Sequence, residues 1–440
     1  MSVSAGHPYV EALLQGSRGL PPSPLSWLNQ RRAQALERAN ALTVPTTRDE
    51  EWRFTDLSPL TKMHFQPVQA AGALTLTLSD IEGMLVPEAG LRLVFVDGMF
   101  APALSALDGL PAGMQFANFA QGFKVGAALA EKHLACHVGF DDNVFAALNT
   151  SYLRDGALIT LAKGVVCAAP VHLLHIATQK EAASYPRCLL IAGSGSECML
   201  IEDFVSLQDG AYLTNAVCEI VLEADARVRH VRLQRESLNA FHIANCAVVL
   251  EKDAVYQSHA VALGARISRH NLNVVQNGEG AEMKIDGLAL ISGRQLADTH
   301  TLMDHARPHG KSTQLHKCIA GGAAHAVFNG KVFVREGAQL TDSAQQSRNL
   351  LLSPKAHVDT KPQLEIFADD VKCAHGATVG QIDAEQLFYL KSRGLPEAQA
   401  RNLLTYAFGA EIIDRIPVPS LVARLERTVL EQTQTGQQPS

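Results

Sequence analysis

Long apolar segments and secretion signals are missing from this sequence. No apolar run reaches the ~18 residues that a membrane-spanning helix needs, and the stretch MSVSAGHPYVEALLQGSRGLPPSP lacks the basic start and apolar centre of a signal peptide. The 8 cysteines are scattered and form no CxxC pair. This pattern is typical of free, mostly buried thiols in a reducing compartment. We therefore expect a cytoplasmic protein without a membrane partner.

A surplus of basic charge and a phosphate-binding loop are missing as well. The formal net charge is -6, whereas a general nucleic-acid-binding protein has a clustered basic face. The stretch HARPHGKST ends like a phosphate-binding loop at Gly310, Lys311 and Ser312, but His305 occupies the position of the first glycine and no helix pattern follows. The sequence therefore predicts neither nucleic-acid binding nor an ATP site in this chain.

Hydrophobic periodicity divides the chain into three regions, 1–160, 161–382 and 383–440. The first is a mixed, partly helical N-terminal region. In it SPLSWLNQRRAQALERANAL predicts a helix that is capped by Ser26 and ended by Pro45. A hairpin is predicted around Asp97-Gly98 in LRLVFVDGMF, and a further helix in FAQGFKVGAALAEKHL.

The second region, 161–382, consists of short Val/Ile/Leu runs that alternate with small polar turns. Similar turn sequences recur, among them LEADARV, LEKDAVY, VREGAQL and LSPKAHV, at intervals of about 18 to 28 residues. That interval is too short for a strand with a crossover helix and fits one turn of a β-solenoid, in which each turn stacks on its neighbours. A β-sandwich also has many short strands and stays as the alternative.

The third region, 383–440, is predicted to be a helical domain. In IDAEQLFYLKSRGLPEAQARNLLTYAFGAEIIDRI, Asp383 is suited to cap a first helix and Gly394 to end it. The second helix carries an apolar stripe of Leu404, Phe408 and Ile412. The two helices either cap the solenoid or form a docking surface. The final stretch, LEQTQTGQQPS, has the composition of a disordered tail.

Two groups of residues are candidates for metal or nucleophile chemistry. The stretch HTLMDHARPHGKSTQLHKC holds four histidines and a cysteine, but their spacing matches no established zinc pattern, and histidines of a polar loop are usually surface residues. The stretch DDVKCAHGATVG places Cys373 and His375 on one face of a strand. This pair could be a nucleophile with its base, two packed core residues, or half of a site that another chain completes. The candidates in the first stretch are His300, His305, His309, His316 and Cys318.

Three long stretches resemble one protein family. DDVKCAHGATVGQIDAEQLFYLKSRGLPEAQARNLLTYAFGAEI, GKVFVREGAQLTDSAQQSRNLLLSPKAHVDTKPQLEIFADDVKC and DEEWRFTDLSPL are similar to segments of the SufB/SufD family of the SUF iron–sulfur cluster assembly system. The resemblance implies a mainly β protein. Its core would be a right-handed parallel β-helix, flanked by an N-terminal mixed helical region and a C-terminal helical domain.

The resemblance also implies a function. Members of this family are non-enzymatic scaffold subunits that pair with each other through the terminal β-helix strands, and each docks one SufC-like ATPase. ATP would then be bound by that partner. Here His375 is followed by Gly-Ala-Thr, the form of the SufD branch, so the expected partner is a SufB-like chain.

The family pattern implies two surfaces. His375, with Cys373 beside it, would lie at the interface and could hold iron or a nascent cluster transiently with ligands of the partner chain, while this chain alone keeps no cofactor. The helices after Asp383 would dock the ATPase. The residues expected at that docking surface are Phe388, Tyr389, Leu404 and Phe408.

Two alternatives remain open at this point. A β-helix enzyme acting on polysaccharide would need aromatic residues and carboxylates along a groove. The solenoid region has only Tyr185, Tyr212 and Tyr256 as candidates for such a groove and no tryptophan. A homodimer through the same strands is also possible, since one exposed edge can pair with its own copy.

Overall fold

A computed structural model describes residues 7–68 and 76–435. The predicted N-terminal helix is confirmed, although it starts with Ser26 in its first turn, so that Leu25 is the cap, and it ends before Pro45. The helices are α1 Pro8–Leu14, α2 Ser26–Ala41, α3 Ser58–Thr61, α4 Leu78–Ile81, α5 Phe119–His133, α6 Val144–Ser151, α7 Ala384–Ser392, α8 Glu397–Ile413 and α9 Pro419–Thr435. Single 3-10 turns are at Ser17–Gly19, Glu50–Trp52, Glu82–Met84 and Pro102–Leu104.

The strands dominate the middle of the chain. They are β1 Gln66–Pro67, β2 Leu91–Val96, β3 Met99–Phe100, β4 Met114–Asn118, β5 Ala157–Leu161, β6 Val171–Ala177, β7 Ala182–Ser184, β8 Arg187–Ala192, β9 Glu197–Ser206, β10 Leu213–Leu222, β11 Arg227–Arg235, β12 Phe241–Leu250, β13 Val255–Ala262, β14 Ile267–Gln276, β15 Glu282–Ile291, β16 Leu296–His305, β17 Lys311–Ala320, β18 His325–Val334, β19 Thr341–Leu351, β20 His357–Ile366 and β21 Val371–Gln381.

These strands build a parallel β-helix, as predicted, rather than a sandwich. One sheet runs in the order β20-β18-β16-β14-β12-β10-β8-β5-β4 and the other in the order β21-β19-β17-β15-β13-β11-β9-β6-β2-β3. Each turn of the solenoid therefore gives one strand to each sheet, and about eight turns are stacked in the described part of the chain. Paired residues are roughly 26 to 32 positions apart, so the predicted interval was too short.

The recurring turn sequences have a backbone reason. In LEADARV and LEKDAVY, the aspartates Asp225 and Asp253 have φ values of 60° and 54°. Aspartate tolerates this left-handed conformation better than most residues and favours turns. Between the turns, side chains stack in register: Ile220 pairs with Val248, Val248 with Val274, and so on to Val332. The result is an apolar core in the middle of the solenoid.

The N-terminal region closes one end of the solenoid. Strand β2 continues one sheet by pairing with β6, and β4 ends the other by pairing antiparallel with β5. The hairpin predicted at Asp97-Gly98 joins β2 to β3. Phe100, in the end strand β3, and Leu107 and Leu110, between β3 and β4, pack against the solenoid core. The chain itself therefore covers this end. Helix α6, whose residues are all buried, packs beside it against α2 and the outer face of β10.

A buried ion pair fastens that covered end. The Arg187 guanidinium lies 2.6 Å from the Glu219 carboxylate, and both side chains are almost fully buried. The other carboxylate bonds of Glu219 come from the backbone N–H groups of residues 135–138, in the loop after α5. Burial alone would raise the pKa of Glu219, but Arg187 and these amides lower it. Glu219 therefore joins the N-terminal region to the solenoid as a charged group.

Three helices follow the solenoid, where two were predicted. Asp383 caps α7 by accepting hydrogen bonds from two backbone N–H groups, and Gly394, with φ of 92°, lies between α7 and α8 as expected. The predicted disordered tail is wrong as far as Thr435, because α9 continues to that residue; residues 436–440 lie outside the described part. The buried Leu421, Leu425 and Val429, at helical spacing, hold α9 in place. No helix among the described residues is long and apolar enough to span a membrane.

Candidate functional site: the open end of the solenoid

The end of the solenoid opposite the N-terminal region is open. Among the residues that the structure describes, β20 pairs only with β18 and β21 only with β19. Most of β21 is exposed, whereas the strands of the inner turns are largely buried. Exposed apolar side chains lie on or beside these terminal strands at Ile366, Phe367 and Val379. Both terminal strands thus present an unpaired edge next to apolar surface.

Cys373 and His375 lie in β21 and share its inward face, as predicted. Cys373 pairs with Ser343 and His375 with Gln345 in the strand below, and both of those side chains are buried inside the solenoid. Cys373 is half-buried against the core, while His375 is exposed because no further turn covers it. The pair therefore lies at the mouth of the solenoid.

The interior below this mouth is polar. The Ser312 hydroxyl donates to the Ser343 hydroxyl at 2.7 Å, and the Gln345 amide donates to the Gln314 carbonyl at 2.8 Å. These residues continue the tracks of Cys373 and His375 into the solenoid. The apolar ladder of the middle turns is thus replaced by hydrogen-bonded side chains near the open end.

The arrangement at Cys373 does not resemble a nucleophile with its base. Burial, together with the negative charge of Asp342, raises the pKa of the Cys373 thiol, whereas a nucleophilic cysteine needs a lowered pKa. No hydrogen bond joins Cys373 to His375 in the described structure. Asp369, the carboxylate four residues before Cys373, lies in the bend before β21 and not on the strand. The thiol and the imidazole instead lie side by side at the mouth, on the inward face of the last strand.

The predicted polar loop of histidines is wrong for four of the five candidates, because His300, His305, His316 and Cys318 belong to strands. His300, in β16, contacts Asp298 at 3.1 Å and Glu51 at 3.2 Å. His305, at the end of β16, is buried between Gln276 and Ser312. Burial lowers the pKa of His305 to about 4, so the ring is neutral at pH 7.

The other three candidates, His309, His316 and Cys318, lie in different surroundings. His309 lies in a turn with φ of 61°, and Glu279 is 3.7 Å from its ring. His316 is buried, stacks on Phe328 and contacts the Cys318 sulfur at 3.5 Å. Burial lowers the pKa of His316 to about 3. The structure does not bring the five candidates together at one site.

An apolar groove runs between α7 and α8. Phe388 and Tyr389 are 74% and 56% exposed, and Leu404 faces the groove from α8. Phe408 lies differently from the other expected docking residues: its ring packs under Lys317 of β17, whose ammonium group is 4.4 Å from the ring centre. The groove is lined by Glu385, Gln386, Tyr389, Leu390, Leu403, Leu404 and Ala407.

The N-terminal segment DEEWRFT docks across the outer face of the solenoid. The Trp52 ring lies under the Arg269 guanidinium at 4.2 Å, and Arg269 forms an ion pair with Asp298 at 2.5 Å. Glu50 reaches Lys361 of the terminal strand β20 at 3.1 Å. This segment therefore ties the covered end of the molecule to the strands of the open end.

Sequence reasoning missed two groups of side chains that are close enough to hold a metal ion. They are Glu202, Cys218 and His230 inside the solenoid, and His325, His357 and Asp359 on its outer face. Members of each group are far apart in the sequence and meet only through the register of the turns. The one available signal was the spacing of Cys188, Cys218 and Cys246, which repeats the length of a turn.

Comparison with known proteins identifies the family. Residues 7–173 match the SufBD protein N-terminal region, and residues 175–408 match the SufBD core domain of SUF system FeS cluster assembly. An iron–sulfur cluster assembly SufBD family protein of Synechocystis is 40% identical over 92% of this chain and 91% of its own. The iron–sulfur cluster assembly protein SufD of Escherichia coli is 36% identical, over 87% of this chain and 88% of its own. The iron–sulfur cluster assembly protein SufD of Bacillus subtilis is 26% identical, over 92% of this chain and 94% of its own. The chain belongs to the SufBD family of iron–sulfur cluster assembly proteins.

Proposed function

We propose that this chain is a cytoplasmic scaffold subunit of iron–sulfur cluster assembly, not an enzyme, and that its open end pairs with a SufB-like chain. The observation that carries the proposal is the exposed inward face of β21, with Cys373 and His375 at the mouth of the solenoid. Strand addition by a partner would satisfy the unpaired backbone groups of β20 and β21. It would also cover the exposed apolar residues beside them.

In such a pair, the mouth becomes an enclosed site between two chains. His375 and Cys373 would face ligands of the partner, and imidazole and thiolate together suit ferrous iron or a nascent cluster. Iron or the cluster is the cargo of this site. We propose that it binds there transiently and that, at this mouth, the chain alone holds no iron or cluster stably.

The groove between α7 and α8 is the proposed docking surface for a SufC-like ATPase, which would bind the ATP. Exposed aromatic side chains such as Phe388 and Tyr389 commonly anchor interfaces. Phe408 supports the surface from below instead, because Lys317 donates to its backbone carbonyl at 2.8 Å and pairs with Glu411. Arg415 likewise pairs with Asp286 of β15 at 2.8 Å.

These contacts give the helices a mechanical link to the mouth. Lys317 and Asp286 lie in β17 and β15, and these strands belong to the sheet that ends in β21. A displacement of α8 by the ATPase would therefore pull on the sheet that carries Cys373 and His375. We propose that ATP-driven movement reaches the interface by this route.

Substitution of His375 tests the proposed site. The chain is co-expressed with its SufB-like and SufC-like partners as wild type, His375→Ala or Lys372→Ala, and the purified complex is assayed for stoichiometry and iron–sulfur content. We expect His375→Ala to assemble normally and to lose most of its cluster. Lys372→Ala, a change of an exposed residue on the same strand, should retain it. Equal cluster content in both variants would reduce His375 to an exposed surface residue.

Substitution of Tyr389 tests the docking surface. Tyr389→Ala should weaken binding of the ATPase by about 2 kcal/mol, the usual effect of removing an interface anchor. Titration of the ATPase against the purified chain measures the loss. Lys391→Ala, on the same helix but outside the groove, is the matched control. The groove is not the docking surface if both variants bind the ATPase as the wild type does.

The polysaccharide enzyme is disfavoured by burial. Tyr212 and Tyr256 lie inside the solenoid, and the Tyr185 ring stacks on Tyr152 with its hydroxyl buried. They form no outer groove on which sugar rings could stack. A homodimer through β20 and β21 remains the competing assembly for the isolated chain, and its mass in solution distinguishes the two states.

A further inference from the structure

Three potential metal ligands meet inside the solenoid, far from the open end in the chain. Glu202 comes from β9, Cys218 from β10 and His230 from β11, and their ligand atoms all lie within 4.8 Å of one another. The side chains are 4%, 4% and 1% exposed. A carboxylate, a thiol and an imidazole are therefore held together in a region shielded from bulk solvent.

The orientation of His230 resembles that of a metal ligand. Its Nδ1 atom is hydrogen-bonded to the Tyr256 hydroxyl at 3.0 Å, which fixes the plane of the ring. Its Nε2 atom is buried without a hydrogen-bond partner and lies 3.5 Å from the Glu202 carboxylate. Metal-binding histidines usually have this arrangement, with one nitrogen held by a neighbouring group and the other directed at the ion. A buried nitrogen without a partner otherwise costs about 1–3 kcal/mol.

We propose that Glu202, Cys218 and His230 bind one divalent cation of borderline softness, Zn²⁺ or Fe²⁺, as a site separate from the interface. The mixed oxygen, sulfur and nitrogen donors suit these ions and not Mg²⁺ or Ca²⁺, which prefer oxygen ligands alone. The thiol proton leaves when the Cys218 sulfur binds the ion. Since all three side chains are buried, the ion enters while the turns of the solenoid assemble.

The charges around the three ligands agree with a dication. Glu202 and Glu236 are buried there with the Arg232 guanidinium, whose Nε atom lies 3.9 Å from Glu202. The His242 ring lies 2.6 Å from Glu236, but burial lowers its pKa and it adds no charge at pH 7. Two carboxylates and a thiolate carry three negative charges, and a divalent ion with Arg232 carries three positive charges. The ion thus neutralises a buried group that otherwise has an excess negative charge, a costly state in a protein interior.

Two other groups in the described chain serve as controls for this inference. His316 and Cys318 form a buried pair at 3.5 Å, but no carboxylate completes it. His325, His357 and Asp359 lie on the outer face, partly exposed, and contain no thiol. A metal ion bound through a cysteine therefore distinguishes the buried site from the surface one.

Cobalt is the probe for the experiment, because a Co²⁺–thiolate bond gives a near-ultraviolet charge-transfer band. The full chain is produced in minimal medium with Co²⁺, purified, and measured for cobalt content and absorption. We expect one cobalt per chain with the thiolate band in the wild type. The band should be lost in Cys218→Ser and retained in Cys318→Ser. Tyr256→Phe, which releases the ring of His230, should lower metal affinity by roughly tenfold or more.

Glu202→Gln tests whether a loss of cobalt is caused by misfolding, since it keeps the shape of the side chain while removing its charge. It should also lose cobalt while its near-ultraviolet circular dichroism stays that of the wild type. A wild-type chain without the band, or a band that survives in Cys218→Ser, overturns the proposal. His375→Ala should retain the band, so that failure of the interface proposal and failure of this site give different results.

Discussion

The two ends of the solenoid differ in what covers them. At the N-terminal end, β4 ends one sheet by antiparallel pairing, Phe100, Leu107 and Leu110 pack against the core, and the buried Arg187–Glu219 ion pair holds the loop after α5 on the solenoid. At the other end, β20 and β21 leave backbone edges, apolar side chains and His375 exposed, with Cys373 half-buried beside it. Between the two ends, each turn gives one strand to each sheet. The two ends therefore differ in what covers their terminal strands. The chain itself covers the strands at the N-terminal end, whereas the edges of β20 and β21 are suited to pairing with a second protein.

Breaking the covered end should have the largest effect. Glu219→Ala leaves the Arg187 charge and four backbone amides without their acceptor, and loss of one partner of a buried pair typically costs about 3–5 kcal/mol. Urea unfolding of the purified chain measures the loss. The control is Glu223→Ala, an exposed carboxylate just beyond the end of the same strand, which should cost less than about 1 kcal/mol. Similar losses in the two variants would mean that the buried pair is not what fastens this end.

Breaking the open end should change binding and leave folding intact. Val379→Lys places a charge at the exposed apolar position of β21, and burying it in an interface should weaken partner binding by about 1–3 kcal/mol. The chain's own free energy of unfolding should change by less than about 0.5 kcal/mol, since the site is at the surface. Affinity for the SufB-like partner is compared with that of Val125→Lys, an exposed position on α5. If Val379→Lys binds as tightly as that control, the partner does not cover β21.

A smaller, pH-dependent effect should appear where the N-terminal segment docks on the solenoid. Burial alone would raise the pKa of Asp298, but Arg269 and His300 hold it well below its ordinary value. Burial lowers the pKa of His300, but Asp298 and Glu51 more than offset it and raise the value. The contribution of Asp298 is present above its unfolded pKa of about 3.9, and it is lost as the pH falls through the lowered folded value.

The contribution of His300 has the opposite sign. It is complete below the unfolded pKa of about 6.5, and it is lost as the pH rises through the raised folded value. Amide exchange in residues 50–55 should therefore be slowest between roughly pH 4 and 6.5, after correction for intrinsic rates. His300→Gln should remove the loss of protection at higher pH. Unchanged behaviour in that variant would assign the effect to another group.

The sequence predicts the solenoid well because its turns have local chemistry. Aspartates such as Asp225 tolerate the left-handed backbone that a turn needs, and they recur where the chain changes direction. The length of a turn was underestimated because each turn of the solenoid contains two bends, and either bend can produce the signal. Helix α9 was missed because its polar Gln/Thr-rich end concealed the Leu421–Leu425–Val429 stripe.

The candidate sites were predictable only where one strand carries the whole pattern. Cys373 and His375 share a face because they are two residues apart in β21, and alternation suffices to place them. His305 and His316 were taken for loop residues because polar side chains interrupt the apolar alternation of their strands. The meeting of Glu202, Cys218 and His230 depends on which residues stack in successive turns, and this register cannot be obtained from any single segment.

Amide hydrogen exchange of the terminal strands, with and without the SufB-like partner, tests the central claim most directly. The exposed edges of β20 and β21 should exchange rapidly in the free chain and become protected in the complex, because strand addition satisfies their N–H groups. The covered strands β4 and β5 should not change. Protection that appears elsewhere while β20 and β21 continue to exchange rapidly would contradict pairing at the open end.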